Sequence, residues 1–138
     1  MNVQVDWLEL KRHTNRLWYA NYCLYAYLHP FRNWLLYVGK VCGCTVRQRL
    51  QGKHKEQVFR DIEREYGIES VRVLVGGLLL EAGRRRTPEL IADVESLLIY
   101  RLKPYANISA SRSRINRPGL AISCTGAWPF VRTGFRDV

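Results

Sequence analysis

The feature that most constrains the fold is a pair of alternating runs separated by the segment HPFRN at residues 29–33. Aromatic and aliphatic side chains alternate along residues 22–28 and again along residues 34–39. Period-two runs of this composition on either side of a proline-containing break are typical of a β-hairpin. If residues 29–33 form the loop, Tyr25 falls opposite Tyr37. Because cross-strand partners share a face, the hairpin predicts two phenols side by side.

Positive charge follows the hairpin directly, at Lys40, Arg47, Arg49, Lys53 and His54. The whole chain carries 22 lysines and arginines against 12 acidic residues, a formal net charge of +10. Such an excess favours a polyanionic partner, with nucleic acid ahead of a membrane surface. The simpler interpretation is a basic protein whose charges are only solvated.

We expect one domain over all 138 residues, with neither a secretory signal nor a membrane segment. The opening MNVQVDW has no basic start followed by an apolar core, and the longest apolar run, residues 73–80, is too short to span a bilayer. We therefore expect a cytoplasmic protein whose cysteines stay reduced. A structural zinc site is an alternative for Cys42 and Cys44 together with His54 or Cys124, although their spacing is not that of a zinc knuckle or ribbon.

Four further elements are predicted between the first residues and the middle of the chain. Helical spacing of aromatic and aliphatic residues predicts an amphipathic helix over residues 5–19. Thr45 can cap a short helix that Gly52 ends. A second amphipathic helix follows over residues 55–66, and residues 70–80 predict a third strand.

A long helix is predicted from Thr87, with Pro88 at its first position, to the residue before Pro104. Glu95 lies on a largely apolar face of this helix, where a carboxylate is costly unless a cation or hydrogen-bond donors compensate it. An ion pair and a metal ligand are both open for this carboxylate.

Arginines outside the hairpin region are the candidate contacts to a phosphate backbone. The loop before the long helix and the C-terminal segment, residues 109–138, are both rich in arginine. For the loop, the other interpretation is that its charges are only solvated. For the C-terminal segment three placements are open: it wraps back on the core, lies along DNA or forms a dimer contact. The arginines concerned are Arg84, Arg85, Arg86, Arg112, Arg114 and Arg117.

Five segments together resemble the GIY-YIG nuclease superfamily. They are CLY at residues 23–25, LYVGK at 36–40, VRQRL at 46–50, His54, and ESLLIYRLKPYAN at 95–107. The resemblance implies an α+β fold in which a small antiparallel three-stranded sheet is flanked by helices. It covers residues 22–108, and leaves an N-terminal helical extension at residues 1–21 and a basic, aromatic C-terminal extension at residues 109–138.

The resemblance also implies an active site. By position, Tyr25 and Tyr37 match the tyrosines of the two family motifs, Lys40 the basic residue after the second motif, and Glu95 the metal ligand. Mg²⁺ or Mn²⁺ is the implied cofactor, and a cation beside Tyr25 would lower its pKa and make it a general base. The remaining matches are Arg49 with Arg47 as the alternative, His54 as another base, and Asn107 as the amide that helps to hold the site.

The sequence thus predicts a metal-dependent endonuclease that hydrolyses DNA, with RNA not excluded as substrate. One site cuts one strand, so a double-strand break requires a homodimer or two encounters. A non-catalytic nucleic-acid-binding module on the same scaffold is the alternative function.

Overall fold

A computed structural model describes residues 1–12, 15–107 and 117–137, without the side chains of residue 15 and residues 53–56. Six strands and four helices lie within these ranges. The strands are β1 (Asn2–Leu10), β2 (Cys23–Leu28), β3 (Leu35–Val41), β4 (Arg72–Leu80), β5 (Ala121–Gly126) and β6 (Gly134–Arg136). The helices are α1 (Asn15–Trp18), α2 (Val46–Leu50), α3 (Lys53–Tyr66) and α4 (Pro88–Leu102).

All six strands form one mixed sheet in the order β3-β2-β4-β1-β5-β6. Every neighbouring pair is antiparallel except β1 and β5, which run parallel. The predicted fold, a small three-stranded sheet flanked by helices, is therefore wrong. The three predicted strands, β3, β2 and β4, make up only half of the sheet, because β1 continues it beyond β4 and the C-terminal strands continue it beyond β1.

The prediction of an N-terminal helix over residues 5–19 is also wrong. Val3, Val5 and Trp7 are buried and alternate with more exposed neighbours, which is the period of a strand. The helical spacing of later residues hid this alternation, and only Asn15–Trp18 forms a helical turn. Burial of β1 between β4 and β5 thus outweighs the local pattern.

The sheet has different partners on its two faces. On one face, Val5, Trp7 and Leu74 pack with α4 residues such as Ile91 and Leu98 in the larger core cluster. On the other face, at the β3-β2-β4 end, the hairpin tyrosines pack with α2 and α3 in a second cluster that includes Val46, Val58 and Ile62. The two clusters together hold the hairpin between helices.

The predicted helices α2, α3 and α4 are confirmed, but Gly52, predicted to end α2, is instead the N-cap of α3, and Gln51 is the C-cap of α2. Thr45 accepts a hydrogen bond from the Gln48 backbone, and the Gln48 side chain accepts one from the Thr45 backbone, which completes a capping box at α2. Gly67 ends α3 in the left-handed conformation, at φ 63°. Thr87 caps α4, with Pro88 at its first position.

Residues 117–137 wrap back onto the core, one of the three placements left open by the sequence. The side chains of Trp128 and Phe135 are buried in the larger core cluster. Arg117, predicted to contact phosphate, forms an ion pair with Asp93 of α4. No helix among the described residues is long and apolar enough to cross a membrane.

Candidate active site

The register of the hairpin differs from the predicted one. Tyr27 lies opposite Tyr37, and Tyr25 lies opposite Gly39, with an irregularity between Tyr27 and Leu28. The prediction that Tyr25 faces Tyr37 is wrong by two residues. Leu28 pairs with Leu35 and not with Trp34, and the irregularity between Tyr27 and Leu28 shifts the register by one residue more.

Three tyrosine rings nevertheless share one face of the hairpin. Ring centroids lie 5.8 Å apart for Tyr25 and Tyr37, 5.6 Å for Tyr25 and Tyr27, and 5.7 Å for Tyr27 and Tyr37. The Tyr25 ring lies over Gly39, where an added Cβ would collide with its aromatic carbons. Gly39 is therefore required for the close approach of Tyr25 to β3. Sequence reasoning missed Tyr27, although its two-residue spacing from Tyr25 indicates a shared face.

Burial keeps these phenols protonated. Desolvation is the largest cause that raises the pKa of Tyr25 and Tyr37, and it raises the pKa of Tyr27 to about 12. The neighbouring Tyr37 raises the pKa of Tyr25 further, whereas the charge of Arg49 opposes the shift in all three tyrosines. The expected low pKa of Tyr25 is thus not found in the protein alone, where the shift has the opposite sign.

Arg49 lies beside the tyrosines and is distinguished from Arg47 by its surroundings. The Arg49 Nε atom is buried, and no hydrogen-bond partner for it exists among the residues that the structure describes. Arg47, two residues earlier on α2, is exposed. Of the two arginines considered for the catalytic role, the structure thus brings Arg49 and not Arg47 to the tyrosines.

Charged groups from both faces of the sheet meet at the end of the edge strand β3. Lys40 alternates with the tyrosines and so belongs to the α4 face. Burial and the Glu95 carboxylate raise the pKa of the half-buried Cys42, whereas Lys40 and Arg49 lower it. Glu95 also raises the pKa of Tyr37. We call this set the edge cluster: Tyr25, Tyr27, Tyr37, Lys40, Cys42, Arg49 and Glu95.

Asn107 supports the edge cluster from the outer side of β3. Its Oδ1 atom accepts from the Val38 N–H at 2.8 Å, and its Nδ2 atom donates to the Val38 carbonyl at 2.8 Å. The neighbouring Ala106 N–H donates to the Leu36 carbonyl at 2.9 Å. Asn107 thus replaces a missing neighbouring strand and fixes the backbone between Tyr37 and Gly39, so it is a positioning residue.

The other predicted site residues lie elsewhere or outside the described parts of the chain. His54 and Lys53 are in the first turn of α3, but their side chains are not among those described. Arg112 and Arg114 lie outside the described residues. The exposed loop before α4 carries Arg84, Arg85 and Arg86, and the charge of Arg86 lowers the pKa of Cys23 against a larger effect of burial.

The edge cluster offers a divalent cation one carboxylate, that of Glu95. No group of three or more histidine, cysteine, aspartate or glutamate side chains suited to a metal occurs among the described residues. Both polar atoms of the Asn107 side chain are occupied by Val38. Mg²⁺ commonly binds through one or two carboxylates, several waters and substrate phosphates, so the residues fit a weak, hydrated site that a phosphate completes.

The buried phenols predict a loss of stability in alkali. An unfolded tyrosine ionises near pH 10, whereas Tyr27 in the folded protein ionises at about 12. The unfolded chain therefore releases its proton first, so the stabilising contribution is complete below about pH 10 and is lost as the pH rises through about 12. In urea titrations across this range, we expect a Tyr27→Phe variant to lose less unfolding free energy than the wild type, by about 3 kcal/mol. Equal losses would contradict this assignment.

Comparisons of the chain with protein-family models, with curated proteins and with solved structures return no significant match.

Proposed function

We propose that this chain is a metal-dependent endonuclease of the GIY-YIG type that hydrolyses DNA phosphodiester bonds in the cytoplasm. The observation that carries the proposal is the edge cluster, in which Arg49, Glu95 and the hairpin tyrosines converge. Within it, the buried Arg49 Nε has no hydrogen-bond partner among the described residues. A buried donor without a partner costs free energy, which an anionic ligand would recover.

Arg49 is the proposed binding group for the scissile phosphate. Its guanidinium is planar and permanently charged, so it can donate two parallel hydrogen bonds to phosphate oxygens. The same charge stabilises the additional negative charge that develops on the phosphoryl oxygens during hydrolysis. The chain's net charge of +10 favours the approach of a polyanion to this arginine.

The tyrosines are assigned a different role from the one expected from the sequence. Tyr25 is fully buried and its pKa is raised, so it cannot readily take a proton from water. We assign it to the orientation of Tyr37, whose ring it contacts at a centroid distance of 5.8 Å. The neutral Tyr37 phenol then donates to a phosphoryl or leaving oxygen, while His54 remains the sequence-based assignment for the general base.

Glu95 is the proposed ligand for Mg²⁺ or Mn²⁺. Such an ion, when bound, polarises a phosphoryl oxygen and lowers the pKa of a coordinated water. Because the protein supplies a single carboxylate, we expect weak metal binding without nucleic acid. Lys40 and Arg49 add positive charge to this region, because both lower the pKa of Cys42 whereas Glu95 raises it.

Incubation of the protein with supercoiled plasmid and Mg²⁺ or Mn²⁺ tests this proposal, and the same reaction with a metal chelator is the negative control. We expect nicking by the wild type and a reduction of about 10²- to 10³-fold in Arg49→Ala, the range for loss of one preorganised donor to a transition-state oxyanion. Arg60→Ala, an exposed charge deletion on α3, is the matched control and should nick like the wild type. Equal loss in both variants would indicate a general effect of charge.

The non-catalytic module is the second candidate function, and burial of Tyr25 favours it because a fully buried phenol has no access to water. This module would bind DNA with strong salt dependence but would nick plasmid with neither ion. Nicking that copurifies with the wild type and is absent from Arg49→Ala excludes it. Linear product at low conversion would further indicate a homodimer, since one site cuts one strand.

A further inference from the structure

A groove lies next to the proposed active site, and its lining residues have no role in the proposed hydrolysis. It lies between the α1 region and α2 and has a volume of about 320 Å³, roughly the share of ten water molecules in the liquid. Two aromatic rings, two guanidinium groups and one amide line it, and none of the lining side chains is a carboxylate. The lining residues are Arg12, Trp18, Tyr19, Arg47 and Gln51.

The two aromatic side chains of this groove differ in how they are held. Trp18 is half-buried, and its Nε1 donates to the Lys11 carbonyl at 3.3 Å. Tyr19, the next residue, is 62% exposed. One ring is therefore held in place by a hydrogen bond, and the other is largely exposed to solvent in a groove that two arginines also line. Flat aromatic ligands with a phosphate are complementary to this combination.

The groove is connected to the edge cluster through α2. The Val46 N–H donates to the Ala20 carbonyl at 2.9 Å, which ties the start of α2 to the α1 region. Arg47 and Arg49 are two positions apart on this helix and so point to nearly opposite sides, at about 200°. One helix diameter, about 10 Å, thus separates the groove from the proposed phosphate site. A DNA strand that rises about 3.4 Å per nucleotide spans this distance in about three nucleotides.

We infer that the groove between α1 and α2 binds an unpaired nucleobase a few nucleotides from the scissile phosphate. The base stacks on Tyr19 beside Trp18, and Arg12 and Arg47 contact its flanking phosphates. Stacked bases inside a duplex do not present their faces, so the groove selects DNA with single-stranded character, such as a fork or a mismatched bubble. This inference rests on the proposed function, because it assigns the class of substrate to that site.

Fluorescence anisotropy in EDTA tests the inference without hydrolysis. The probes are a labelled duplex, the same duplex with a single-stranded fork, and deoxyadenosine monophosphate as competitor. We expect the fork to bind more tightly than the duplex, with a loss of about 5- to 100-fold for the fork in Tyr19→Ala, the range for loss of one base-stacking contact. Arg47→Ala should weaken fork binding as well, whereas Phe31→Ala, which removes an exposed ring in the hairpin loop, should not.

Two outcomes overturn the inference and a third overturns only the proposed hydrolysis. Equal affinity for fork and duplex, or unchanged fork binding in Tyr19→Ala, removes the base-binding role of the groove while plasmid nicking by the wild type still stands. Competition by the mononucleotide at the concentration of the fork would indicate a site for free nucleotides instead of a strand. Absence of nicking with preserved fork selectivity would overturn the proposed hydrolysis but not the groove.

Discussion

Replacing Glu95 with glutamine is expected to abolish metal-dependent nicking, with a rate at least about 10³-fold below the wild type. Glu95 is the single carboxylate of the edge cluster, and an amide is a far weaker ligand for Mg²⁺. A metal ion contributes several kcal/mol of transition-state stabilisation, and each 1.36 kcal/mol corresponds to about tenfold in rate. The substitution preserves the size of the side chain, so the half-buried position on α4 keeps its packing.

The matched control is Glu89→Gln, which makes the same chemical change at an exposed position in the first turn of α4. It should nick plasmid at the rate of the wild type. Titration with Mn²⁺ adds a second measurement, because a variant that has lost its ligand should not recover its rate at high metal concentration. Unchanged cleavage in Glu95→Gln would remove this carboxylate from the mechanism.

Replacing Asn107 with alanine is expected to lower the free energy of unfolding by about 2–5 kcal/mol. The substitution leaves the N–H and the carbonyl of Val38 without their partners, and each unsatisfied buried group costs about 1–3 kcal/mol. Val38 is fully buried, so water cannot readily replace the lost hydrogen bonds. We expect nicking to fall as well, since the freed backbone carries Tyr37 and Gly39.

Urea unfolding measures this effect, and Gln57→Ala is its control. Gln57 is exposed and hydrogen-bonds with Asp61 within α3 at 3.0 Å, so its loss should change stability by no more than about 0.5 kcal/mol. Asn107→Asp separates the two bonds, because it retains an acceptor for the Val38 N–H but has no donor for the carbonyl. A fully stable Asn107→Ala would show that the Ala106 contact with Leu36 suffices to hold β3.

The elements with local signals were predictable from sequence. The hairpin, α2 and α4 carry their own turn, capping and proline signals, and Thr45, Thr87 and Pro88 act in the structure as those signals indicate. Glu95 and Arg49 were singled out by the resemblance to a nuclease family, and in the structure both affect the pKa of Tyr37. Local signals were thus sufficient for α2, α3 and α4, but not for the N-terminal segment.

Non-local pairing explains what was missed. β1 is buried because β4 and β5 flank it, and neither partner is visible in the sequence of residues 2–10. The tyrosine register differs because Leu28 pairs with Leu35 and an irregularity follows between Leu28 and Tyr27. In the protein without a metal ion, burial raises the pKa of Tyr25, and this burial depends on packing that the charges along the sequence do not reveal.

The parallel pairing of β1 with β5 has a consequence for how the chain reaches its native state. Asn2 lies beside Ala121 in the sheet, so two segments that are 119 residues apart along the chain must pair. Contacts of such long sequence separation slow folding, because the chain must close a large loop before they form. We expect β1 to keep an unpaired edge during synthesis until residues 121–126 have been made. This exposed edge makes the nascent chain prone to aggregation and chaperone binding.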